Sequence, residues 1–176
     1  MTHALVARAL EIALSHQGIR EQGSNAGPAI ESWLKLVGLG AGYPYCVAHI
    51  FACYHEAAKE LGLKNPLPVT AKAVRLWQRS PEWTKSPRPT RGAIFVRAKN
   101  PNDRDSAGHA GIVVDVIWPE SRMITIEANT GRDTVVGDPA DRDGDGVHRR
   151  SRPIGYVNLG FLRYDREDET PKPGVG

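Results

Sequence analysis

A cysteine follows a tight Gly42-Tyr43-Pro44-Tyr45 turn at the start of a predicted helix. Sixty-three residues downstream, a Gly108-His109 pair opens an apolar strand. The nucleophilic form of cysteine is the thiolate, which a helix N-terminus and a nearby imidazolium both favour. Cys46 and His109 are therefore candidates for a nucleophile and its base. Such a base needs a third group on its second ring nitrogen to fix its tautomer and stabilise its charged form.

The segment Ala110 to Glu127 supplies that group if it folds as a hairpin. Pairing Ile112 with Ile126 and Val114 with Ile124 makes one coherent apolar face. His109 then faces Asn129, and Gly111 faces Glu127, leaving room for the carboxylate to lean diagonally toward the imidazole. A shift by one residue would set Ile112 against Glu127 and break the apolar face. Side chains alternate along a strand, so Glu127 and Asn129 share a face while that strand stays regular. The hairpin thus gathers His109, Glu127 and Asn129 into one polar cluster, which Cys46 must approach from a packed helix.

The positioning elements change character midway along the chain. Thr2 to His16 carries apolar residues at helical spacing, and Asn25 and Pro28 start a second helix on which Ile30, Trp33, Leu34 and Val37 form a stripe stopped by Gly38. Pro44 opens a third helix, with Val47, Ile50, Phe51, Tyr54, Ala58 and Leu61 on one broad stripe and Gly62 at its end. A fourth runs from Thr70 to Arg79, and the Pro-rich stretch from Pro81 to Pro89 closes the helical half. Ala93 to Arg97, Ala110 to Trp118, Met123 to Glu127, Val147 to Arg152 and Tyr156 to Tyr164 then read as strands. Helices followed by strands predict an α+β fold, with N-terminal helices packed on a C-terminal antiparallel sheet.

With 176 residues and 40% hydrophobic content, the chain suits a single domain that folds without disulfide or metal. That domain is expected over 1–164, with its motif-bearing core at 23–164 and a disordered tail at 165–176. Cys46 and Cys53 lie seven apart on one helix, about 10.5 Å along its axis, too far for a disulfide. Both are expected to be free thiols, with Cys53 a buried apolar group and His49 and His55 at surface or boundary positions. His3, Arg8 and Glu11 interrupt the apolar N-terminus, so it reads as an amphipathic helix and not as a secretory segment. No stretch approaches membrane-spanning length. The net charge of +3 is spread without the dense basic cluster that nucleic-acid binding requires.

Three strings together resemble the CHAP family of cysteine, histidine-dependent amidohydrolases and peptidases: Gly42-Tyr43-Pro44-Tyr45-Cys46-Val47-Ala48, Gly108-His109-Ala110-Gly111-Ile112-Val113, and Glu127-Ala128-Asn129-Thr130. They occur in the family's order, and the resemblance covers roughly Gly23 to Tyr164. Upstream, Asn25, Gly27-Pro28 and Trp33 are similar to the helix that precedes the nucleophile in phage-type members. The resemblance implies a papain-like α+β fold and hydrolysis of an amide bond in bacterial peptidoglycan, with no cofactor. It implies Cys46 as nucleophile, His109 as base, Glu127 as the carboxylate that orients the histidine, and Asn129 as a further polar site residue. Two departures stand out: Tyr45 where Trp is common, expected to keep an aromatic wall for substrate, and Ala128 where Gly is common. A phage endolysin of amidase or endopeptidase type is the first expectation. It would be a monomer made in the cytoplasm that acts on the wall or in the periplasm, without nucleic-acid binding or membrane insertion. A secreted effector amidase, an intracellular peptide amidase and a non-catalytic wall-binding module are the alternatives.

Two metal readings compete with this chemistry. Cys46, His49 and Cys53 mimic ligand spacing, but two sulfurs on one zinc lie less than about 4.6 Å apart, which leaves Cys46, His49 and His109 as the smaller set. The run Asp141-Arg142-Asp143-Gly144-Asp145-Gly146 mimics the first half of a calcium loop. Its twelfth position, however, is Arg152, where a bidentate Glu is needed.

Overall fold

The computed structural model describes residues 2–103, 105–131 and 144–165. Four helices, α1 (Thr2–Ser15), α2 (Pro28–Leu36), α3 (Cys46–Glu60) and α4 (Ala73–Arg79), precede an antiparallel sheet. Its strands are β1 (Lys85–Ser86), β2 (Ile94–Ala98), β3 (Gly108–Ile117), β4 (Arg122–Thr130), β5 (Gly146–Pro153) and β6 (Gly160–Leu162), in the order β1-β6-β2-β3-β4-β5. This is the expected α+β arrangement of helices followed by a sheet. Asp141 to Asp143 of the calcium-like run, and the expected tail beyond Asp165, lie outside the described residues.

Helix boundaries follow local chemistry. Pro28 sits at the first position of α2, where a missing N–H costs nothing, and Gly27 rather than Asn25 precedes it. Both α2 and α3 end in paired bonds, Gly38 N–H to Lys35 O with Leu39 N–H to Leu34 O, and Gly62 N–H to Lys59 O with Leu63 N–H to Ala58 O. The predicted stop signals are therefore in use. Pro44 does not open α3: Tyr45 holds the N-cap and Cys46 is the first helical residue.

Helix α3 is the structural centre, and it corrects the single-stripe reading. Cys46 to Tyr54 are buried without a break, as are Ala57 and Ala58, because the helix is packed against α1, α2, α4, β3 and β4. The main core lies between these helices and one sheet face, including Ile94, Val96, Ala110, Ile112, Ile126, Ala128 and Val147. A smaller cluster on the other face gathers Phe95, Val113, Met123, Tyr156 and Phe161. Two strand expectations change. A two-residue β1 occurs inside the Pro-rich stretch, and Ile154–Tyr156 is a 3-10 turn, so only Gly160–Leu162 of the last predicted strand pairs.

Candidate active site

The hairpin register is decided by the apolar face. Ile112 pairs with Ile126 and Val113 with Thr125, as expected. Beyond them a bulge intervenes, so Asp115, and not Val114, pairs with Ile124. The bulge lies away from the polar end, where the close approach survives: a Cβ on Gly111 would stand 2.7 Å from Glu127 Cγ and 2.7 Å from Phe95 Cε1. Glycine at 111 is what lets the Glu127 side chain cross to the imidazole. The contact follows, with His109 Nε2 at 2.8 Å from Glu127 Oε2. Glu127 accepts, so Nε2 carries the proton and Nδ1 is left to face a reaction partner.

Nδ1 is buried and makes no hydrogen bond of ordinary geometry. The Cys46 side chain is nevertheless close enough to help raise the pKa of the ring. Cys46 is 4% exposed and is the first residue of α3, whose N-cap Tyr45 donates no side-chain cap. The first-turn N–H groups of a helix have no intrahelical acceptor, so they offer donors beside the thiol. A cleft of about 750 Å³ opens over it, lined by Tyr43, Pro44, Lys72, Arg75, Ser106 and Gly108 among others.

Behind Glu127 stands a residue that motif reasoning missed. Arg152 is fully buried and grips the carboxylate with two bonds, Nε to Oε1 at 2.9 Å and Nη2 to Oε2 at 2.6 Å. Thr125 Oγ1 donates to Oε1 at 2.5 Å. Met123 is the register partner of Arg152 and His148 that of Glu127, so the long arginine runs along the strand face past Thr125 to reach its partner. Its guanidinium also lies 4.4 Å from the centroid of the Tyr156 ring. The sequence signal was the arginine at the failed twelfth position of the calcium-like run. It could have been found only by pairing β4 with β5.

The electrostatics follow from this order. Burial opposes charge on His109, but the contacts with Cys46 and Glu127 outweigh it and hold its pKa up to about 9. Burial would likewise neutralise Glu127, but the bonds from Arg152 and His109 prevail and hold it down to about 2. The imidazole is thus cationic at neutral pH, between a thiol and a fixed anion.

Three expectations need correction. Tyr45 is fully buried, its ring 6.2 Å from Trp33 and its hydroxyl beside the Asn129 backbone. At the N-cap its side chain turns into the core, and the exposed aromatic on the cleft is Tyr43. His49 is buried, and it meets His16 and Cys53 instead of joining Cys46 and His109, so the smaller metal set is not assembled. The Glu127–Asn129 strand is not regular: β4 shifts register against β5 between Ala128 and Thr130, and Asn129 takes φ 58°. The left-handed residue is thus the asparagine, which tolerates that conformation, and not Ala128. Asn129 is buried here. In the calcium-like run, Asp145 pairs with Arg20 at 3.0 Å and with His148 at 3.1 Å.

No curated protein matches the chain, and no solved structure does. The family model of the CHAP domain matches residues 38–129, just over half of the chain, and this span contains Cys46, His109, Glu127 and Asn129. A thiol at a helix start, an imidazole and a buried carboxylate inside that match are the parts an amidohydrolase of this kind needs, and the chain belongs to the CHAP family.

Proposed function

We propose that this domain cleaves an amide bond of bacterial peptidoglycan by acyl transfer through Cys46. The observation that carries the reading is buried His109, held between the Glu127–Arg152 pair and the thiol of Cys46, which itself lines an open cleft. With its proton held on His109 Nδ1, Cys46 attacks the carbonyl carbon as the thiolate, forming a C–S bond while the carbonyl electron pair moves to oxygen. The unpartnered N–H groups at the start of α3 are the donors for that oxyanion. On collapse the C–N bond breaks, and His109 Nδ1–H gives its proton to the departing amine. Water then attacks the thioester, His109 takes its proton, and the C–S bond breaks to free the acid.

Glu127 and Arg152 touch no reacting atom. They act as positioning residues, keeping the imidazole in the tautomer that aims Nδ1 at the thiol. Asn129 is the remaining polar candidate, held at the irregular end of β4. The cleft rim suits a peptide with acidic groups: Lys72 and Arg75 share the single carboxylate of Asp105, and Arg79 also lines the cavity. We assign the activity to a wall lysin of the phage type, either an N-acetylmuramoyl-L-alanine amidase or an endopeptidase.

Purified protein and its Cys46→Ala variant, incubated with isolated sacculi and with a free peptide amide, test this reading. Mass spectrometry should find new amine and carboxyl ends in the wall fragments with the wild type only. Turnover of the peptide amide with intact sacculi would replace the wall substrate by an intracellular one. Release of fragments by Cys46→Ala would overturn the chemistry.

A further inference from the structure

A second thiol site lies one to two turns further along α3. His49 and Cys53 are four apart on that helix, so they share a face. His16, just past the end of α1, meets them there. His16 Nδ1 is 3.2 Å from His49 Nε2, and Cys53 Sγ is 3.6 Å from His49 Nε2 and 3.8 Å from His16 Nδ1. Among the described residues, this is the group of three His, Cys or acidic donors that lies within the reach of one ion.

The triangle has the dimensions of a coordination face. With Zn–N of about 2.05 Å and Zn–S of about 2.3 Å, tetrahedral angles set two nitrogens ~3.3 Å apart and nitrogen from sulfur ~3.6 Å apart. The observed edges of 3.2, 3.6 and 3.8 Å depart from these by small fractions of an ångström. The donor set, two imidazoles and one thiolate, suits zinc and similar borderline ions.

We propose that His16, His49 and Cys53 bind one zinc-type divalent cation, clamping the end of α1 to the helix that carries the nucleophile. On binding, the Cys53 S–H bond breaks and its proton leaves to solvent, the sulfur pair passing to the metal. His16 keeps its proton on Nε2 and His49 on Nδ1. Entry is from the side of His16, the half-buried member of the three. The Trp33 ring packs on both imidazoles, 5.2 Å from His16 and 4.7 Å from His49, so α2 joins the clamp. The rival is a hydrogen-bonded trio that binds nothing.

The test uses the full chain carrying Cys46→Ala, which removes the catalytic thiol as a competing ligand. The protein is stripped of metal under reducing conditions and titrated with Co²⁺, then with Zn²⁺. Binding predicts one equivalent of Co²⁺ with visible bands of tetrahedral cobalt and a near-ultraviolet thiolate charge-transfer band, all displaced by Zn²⁺. Zinc at a hundredfold excess over its dissociation constant should raise the thermal midpoint by roughly 5–10 °C. Adding Cys53→Ala should remove the charge-transfer band, and adding His16→Gln, at a half-buried position, should weaken binding at least tenfold. Circular dichroism checks that each variant is folded. Absence of the bands and of the thermal shift in the Cys46→Ala protein overturns the site, as does a charge-transfer band that survives in folded Cys46→Ala/Cys53→Ala. Because every readout is made without the catalytic thiol, the outcome is independent of the proposed hydrolysis.

Discussion

Helix α3 carries two thiols seven residues apart, each beside an imidazole, in opposite electrostatic settings. At its first residue, Cys46 meets a histidine whose far nitrogen is held by Glu127, itself gripped by Arg152. That carboxylate, together with the thiol, holds His109 up to about 9 against burial. Two turns on, Cys53 meets His49 and His16, and burial dominates all three: it pushes His49 down to about 3, lowers His16 and raises Cys53. A Cys–His contact is therefore not catalytic by itself. A fixed anion behind the ring and a cleft before the thiol separate the proposed acid–base pair from the buried His16–His49–Cys53 group.

The largest expected effect breaks this comparison at its centre. Cys46→Ala should lower kcat by about 10⁴-fold or more, the loss seen when a nucleophile is removed. Cys53→Ala, which removes no group from the acyl-transfer sequence, should retain measurable turnover in the same fragment-release assay.

Arg152→Met comes next. It leaves His109 as the one cation among the described residues in contact with buried Glu127, and since stranding a buried charge completely costs about 3–5 kcal/mol, the loss should approach but not exceed that range. Urea denaturation should show that loss. Adding Glu127→Gln should restore part of it, because the neutral amide does not need the missing guanidinium and His109, without the carboxylate, can bury as the neutral ring. Additive losses in this cycle would mean that the two residues do not act as a pair.

The charge on His109 gives the third prediction, and its sign is fixed by the raised value. An imidazole at about 9 in the fold and ~6.5 in the unfolded chain contributes stability that is fully present below pH ~6.5 and lost as pH rises through 9. The alkaline limb of activity should fall near the same pH, where the proton for the leaving amine is lost. Glu127→Gln should move that limb toward acid by roughly one unit or more, since an opposite charge at contact distance is worth 1–3. An unmoved limb would detach Glu127 from the histidine. Glu127 has the reverse sense: its contribution is present above its unfolded value of ~4.3 and fades as pH falls toward 2.

What the sequence discloses of this contrast is uneven for physical reasons. Cys46, His109 and Glu127 are legible because each sits in a local motif and the apolar pairing of Ile112 with Ile126 admits a single register. Arg152 is hidden because its partner is assigned by β4–β5 pairing across a long connection, which no local pattern encodes. The second cluster is hidden because a helix is expected to bury one stripe, whereas α3 is enclosed by helices on one side and sheet on the other. His49 then has nowhere to go but inward. Tyr45 misleads for a related reason: its place beside the nucleophile suggests the cleft, but an N-cap side chain here turns into the core.

The most direct measurement is the order in which the two thiols react. Native protein treated with one equivalent of iodoacetamide near pH 7, then digested and mapped by mass spectrometry, should carry the label on Cys46. Loss of hydrolysis should track that label, and Cys53 should remain unmodified until the chain unfolds. Label on Cys53 first, or full hydrolysis by protein alkylated at Cys46, would contradict a Cys46 nucleophile.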